Sequence, residues 1–204
     1  MERRSFLKLL GCASILALPS IRSLLSLTKD AQQSTPIHLE DHLTPEQLGF
    51  LQKIRYFEAQ LQQQQGRFSW YLHNELRHYW GAFSEAKSLA HADVILEHSV
   101  MDTYIINTLS DWHYAPEEPQ YQPDLALESL QHRAESYPEF YYVGAACWLR
   151  AGEISDAIGQ GNLARGYYQL VIDLNEKAKH RASRLWVYQH MAQTQLIVNG
   201  RAYI

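Results

Sequence analysis

The sequence predicts an all-α fold, on three observations. Apolar residues recur at spacings of three and four along much of the chain after residue 44. No segment sustains strict apolar–polar alternation with enrichment in β-branched residues. Helix-start chemistry is explicit at Thr44-Pro45-Glu46-Gln47: threonine caps, proline takes the first helical position, and glutamine sits where a capping box wants it. At 204 residues, with 46% hydrophobic and 12% aromatic side chains, the composition is globular and long enough for one domain with a real core. The expected architecture is an irregular helical bundle or a set of αα-hairpins.

Taken in order, Phe50, Ile54, Phe57 and Leu61 mark one face of a first helix, which a polar run from Gln62 to Gln65 and then Gly66 bring to an end. Leu72, Leu76, Tyr79 and Phe83, with Trp80 beside them, form the stripe of a second. Val94, Met101, Ile105, Leu109 and Trp112 do the same for a third. Three prolines between residues 114 and 123 predict a connection. Helices are expected near 124–136, 139–149, 162–179 and 182–198. The aromatic doublets Trp70-Tyr71, Tyr79-Trp80, Tyr141-Tyr142 and Tyr167-Tyr168 are expected to place one ring in the core and one near the rim; an aromatic binding groove is the sharper alternative. The domain reading is a leader over 1–30, a polar linker over 31–43 and one helical domain over 44–204.

The leader carries the most specific motif. Residues 2–8 read Glu-Arg-Arg-Ser-Phe-Leu-Lys, followed by an apolar run from Leu9 to Leu18. Arg3, Arg4, Phe6, Leu7 and Lys8 resemble a twin-arginine (Tat) signal peptide, and Arg22 resembles the basic residue that discourages the alternative Sec route. The resemblance implies passage of the folded protein through the Tat translocon and a periplasmic location. Membrane contact is expected only if the leader stays uncleaved as an inner-membrane anchor, although Pro19 and Arg22 break the apolar run well short of the ~20 residues a spanning helix needs. Leu9-Leu10-Gly11-Cys12 resembles a lipobox, yet most of the hydrophobic segment follows it, and Cys12 is read as inert. Without the leader only Cys147 remains, in the apolar run Val143–Leu149, where it reads as a small buried hydrophobe.

The formal charge of −4 hides an asymmetry: residues beyond 30 hold 13 basic and 20 acidic side chains. An acidic domain without a basic cluster argues against a nucleic-acid partner. Metalloprotease, dithiol, nucleophile-elbow and phosphate-loop signatures are absent from the sequence. Gly159-Gln160-Gly161-Asn162-Leu163-Ala164 imitates a dinucleotide fingerprint, but no buried strand precedes it, and a turn between helices is expected. Glu75-Leu76-Arg77-His78 has the Glu-x-x-His spacing that puts both side chains on one helix face. With Glu58 and His98 it resembles half of a ferritin-like carboxylate bundle, which would imply a metal site. No second Glu-x-x-His exists, and no catalytic, cofactor-binding or metal set is predicted.

Two further resemblances bear on function. Leu125-Ala126-Leu127, Ala134, Pro138 and Gly144-Ala145-Ala146, then Leu163–Tyr168, resemble about one and a half tetratricopeptide-type hairpins. Leu43-Thr44-Pro45-Glu46-Gln47-Leu48, after a Tat-like leader and polar spacer, resembles the opening of small subunits of membrane-associated flavin dehydrogenases. The expected function is an exported, non-catalytic helical protein that binds another exported or membrane-bound protein. The alternatives are an accessory subunit of such a dehydrogenase, and a ferritin-like metal-binding protein.

Overall fold

In the computed structural model, residues 43–111, 121–178 and 181–202 are described. The targeting residues Arg3, Arg4, Phe6, Leu7 and Lys8, nearly all of the predicted linker, and residues 114–120 of the proline-rich connection lie outside them. Among the described residues the chain is all-α, with no strand and eight helices. These are α1 (Pro45–Gln63), α2 (Trp70–Trp80), α3 (Glu85–His98), α4 (Thr103–Leu109), α5 (Pro123–Ser136), α6 (Tyr141–Ala157), α7 (Gly161–Ala178) and α8 (Trp186–Ala202). None of them is long and apolar enough to cross a membrane.

Local chemistry sets most boundaries. Pro45 opens α1, and after Gln63 the chain turns through Gln65 and Gly66, both at positive φ. Ser69 and Ser84 cap α2 and α3, their hydroxyls accepting from the N–H groups of Leu72 and Lys87. At the end of α6, Gly159 at φ +78° lets its N–H reach the Asp156 carbonyl while Gln160 N–H reaches Ser155, a Schellman closure. The dinucleotide-like string is therefore an interhelical turn, as expected.

The third predicted helix is two. It stops at His98, and Asp102 starts α4 by accepting the Ile105 N–H at 2.9 Å. The expected stripe fails at the break: Met101 is 62% exposed, whereas Leu89, Ala92, Ile95 and Leu96 form the buried face of α3. A capping carboxylate three residues before Ile105 outweighs an apolar period that would have run straight through. The sixth helix is also longer than predicted, continuing past Leu149 through Gly152 to Ala157.

Two apolar clusters follow from this order. Ile54 and Phe57 of α1 meet Leu72 and Leu76 of α2, with Leu61, Tyr79, Trp80 and Phe83 packed around them. The larger cluster draws on α3 to α8 and centres on α6, which buries Tyr142 to Cys147 as well as Leu149, Ala151, Gly152, Ile154 and Ser155. α6 touches α3, α4, α5, α7 and α8, and such crowding requires small side chains at the crossings. Gly152 shows why. A Cβ there would meet Cε1 of Tyr168 on α7 at 2.3 Å. Glycine costs a helix interior about 1 kcal/mol, but it admits a fully buried tyrosine ring, worth about 2 kcal/mol or more in apolar burial. The Tyr168 hydroxyl also donates to Asp156 at 2.6 Å, so the exchange favours glycine.

α6 has no capping side chain of its own. Asp93, on α3, accepts the N–H groups of Tyr142 and Val143 at 2.9 and 3.0 Å through one carboxylate oxygen. A residue 50 positions upstream thus supplies the missing cap. Burial pushes the Asp93 carboxyl up to about 6, against the opposing pull of the two N–H groups. On α5, Arg133 plays a comparable tethering role: it donates to the Leu109 carbonyl at the end of α4 and pairs with Glu85 at 3.3 Å and Asp111 at 3.4 Å. Cys147 is fully buried, and burial pushes its thiol up to about 12. As the sequence suggested, it packs as a hydrophobe.

Candidate functional site: an aromatic and histidine corner

The break between α3 and α4 builds the most distinctive surface of the chain. Asp102 divides its carboxylate: one oxygen caps α4, and the other accepts the indole N–H of Trp70 at 2.6 Å. Trp70 opens α2, so this bond ties α2 to α4 across 32 residues. Its ring lies 6.4 Å from that of Tyr104, and the Arg77 guanidinium sits 5.6 Å over the Tyr104 ring. Burial pulls the Arg77 guanidinium down, while Tyr104 and Asp102 oppose that shift. Trp70 remains 39% exposed, Tyr104 53% and neighbouring Met101 62%. Trp70 is thus fixed by a hydrogen bond yet left at the surface beside the exposed Tyr104 ring.

Just beyond Trp70, Phe68 stacks on His98 at 4.1 Å with the rings nearly parallel, and on His73 at 5.8 Å. His98 donates to the Val94 carbonyl at 2.9 Å, closing the last turn of α3. Arg184, from the segment before α8, donates to the His98 carbonyl at 3.0 Å. His73 and His91 meet Nδ1 to Nδ1 at 3.0 Å. Burial holds both imidazoles below their ordinary value, with the neighbouring histidine charges acting in the same direction, and His91 reaches about 4.

The ferritin-like residues take other places. Glu75 and His78 sit on α2, where burial and then Arg77 lower the His78 imidazole and Glu75 opposes them. His98 is on the exposed end of α3 against Phe68, rather than within its core stripe. Among the described residues no three His, Cys, Asp or Glu side chains are arranged to hold a metal ion. The aromatic doublets follow the one-in, one-out expectation only in part. Tyr142 is buried beside a half-buried Tyr141, but Tyr167 and Tyr168 are both buried, whereas Trp70 and Tyr71 are both exposed. Sequence reasoning noticed Trp70, yet it missed Phe68, Tyr104, His73 and His91 as neighbours. They come from three helices and a loop, and spacing along one helix cannot reveal them.

A groove of about 150 Å³ lies alongside, lined by Met101, Thr103, Ile106, Arg150, Glu153 and Met191 among others. That is small beside the roughly 300 Å³ or more of a typical small-molecule site. The chemistry on offer is therefore aromatic and cation–π contact over an open face. No protein-family model matches this chain, and no curated protein or solved structure matches it either.

Proposed function

We propose that this chain is an exported, non-catalytic helical protein that docks another exported or membrane-bound protein through the corner formed by Trp70, Tyr104 and Met101. One observation carries the reading: Asp102 fixes an exposed tryptophan beside an exposed tyrosine, and Met101, next to Asp102 in the chain, is exposed as well. Trp, Tyr, Met and Arg are the residues enriched where proteins meet, because they offer large area at low entropic cost once held in place. The Tat-like leader supports the exported part of the reading, and the tetratricopeptide-like stretches fit a binding role.

Site-specific photo-crosslinking tests it. A photoreactive residue at Tyr104 is expected to capture one discrete partner in cells, and the same residue at exposed Gln169 on α7 is not. Equal capture from both positions, or none from either, overturns the docking face. A flavoprotein as the captured partner would make the chain the accessory subunit that its Leu43–Leu48 segment resembles. Export is tested separately: replacing Arg3 and Arg4 with lysine should leave the protein in the cytoplasm, and unchanged export would remove the Tat reading.

A further inference from the structure

His73 on α2 and His91 on α3 point their Nδ1 atoms at each other across 3.0 Å, with ring planes tilted by 55°. In the metal-free chain one ring's Nδ1–H donates to the other's Nδ1, the tautomers setting which ring is the donor. The same span suits two ligands of one ion: at metal–nitrogen bonds of about 2.0–2.1 Å and ligand angles of about 90–110°, two imidazoles that give up the shared proton place their nitrogens roughly 2.8–3.4 Å apart, with the ion off the line between them.

We propose that His73 and His91 form a two-histidine site for an imidazole-preferring divalent transition metal, with Cu²⁺ the tightest-binding member of that class. The pair sits half-buried on adjacent helices, so the ligands are prearranged while one side stays open to an entering ion. Burial holds both imidazoles below their ordinary value, a direction that favours the neutral form a ligand needs. Phe68, stacked on His73, supplies an apolar wall that fixes the ring plane. Since no third protein donor converges among the described residues, water completes the coordination. Bound there, the ion links α2 to α3 across 18 residues. This inference is independent of the docking reading, because it needs no partner protein.

The test titrates Cu²⁺ into the full, metal-free chain without an affinity tag, read by calorimetry and by electron paramagnetic resonance. The expected result is a stoichiometric site whose spectrum carries hyperfine coupling from two imidazole nitrogens. His73→Ala and His91→Ala should each weaken binding about tenfold or more, the double variant should abolish it, and His132→Ala, at an exposed position on α5, should leave it unchanged. Circular dichroism of each variant separates lost ligands from lost fold, and His91→Asn, which retains polar volume, guards against a packing defect. No stoichiometric site, a spectrum with fewer than two imidazole nitrogens, or equal binding by the double variant overturns the proposal.

Discussion

The ring of Tyr168 fills the space that a Cβ at Gly152 would need, its Cε1 lying 2.3 Å from that point. The crossing of α6 and α7 is thus set by the absence of one methyl group. Gly152→Ala should destabilise the fold by about 2 kcal/mol, since overpacking against a buried ring exceeds the roughly 1 kcal/mol that alanine gains in helix propensity. Gly166→Ala is the contrasting case. That residue is exposed on α7 with nothing within 4 Å of the added atom, so it should stabilise by about 0.5–1 kcal/mol. Urea midpoints of the two variants are expected to move in opposite directions.

Asp93 makes a similar distinction testable for the cap of α6. Asp93→Ala leaves the Tyr142 and Val143 N–H groups without their acceptor, at a cost of about 1–3 kcal/mol. Asp93→Asn keeps an oxygen in place without a buried charge, and should equal or exceed the wild type at pH 7. Thermal melts of the pair settle whether the acceptor or the charge matters.

Acid should act on this protein through two opposed groups. Asp93 holds its proton up to about pH 6 in the fold against an ordinary 3.8, so its contribution is fully present below that ordinary value and is lost as pH rises through about 6. His91, lowered from 6.5 to about 4, resists protonation in the fold, and its contribution is lost as pH falls from 6.5 towards 4. The two partly cancel over that window. Asp93→Asn should therefore expose a steeper acid loss than the wild type shows, and His91→Gln a shallower one. Denaturation midpoints at pH 4.5, 5.5 and 7, on the order of one point per pH unit of the window, check both slopes.

Asp102→Ala removes the α4 cap and the Trp70 anchor in one step. A stability loss of about 1 kcal/mol is expected from the cap, together with a change in Trp70 fluorescence as the indole N–H returns to water. Asp102→Asn should retain much of the cap, because its amide oxygen can still accept the Ile105 N–H.

How much of this was legible in the sequence differs from element to element. The face of α1 could be read directly: Ile54 and Phe57 are buried, and Leu61 packs against the same cluster. The α5 to α8 segments were placed to within a few residues at most ends. The α3–α4 break was missed because Asp102 looks like any polar residue inside an apolar period until its two oxygens are seen to bind Ile105 and Trp70. The run through Gly152 was missed because a glycine in a polar stretch reads as an interruption, and only Tyr168 explains its place inside a helix.

By itself, then, the sequence determined the helical class, the inward faces of α1 and α2 and the turn at Gly159. Each depends on residues within a few positions of one another, where backbone geometry and side-chain period act directly. Tertiary structure alone decided that Asp93 caps a helix 50 residues away, that Asp102 pins Trp70, and that His73 meets His91. Those contacts join residues far apart in the chain, and the packing of α6 against five other helices is what brings much of the chain within reach.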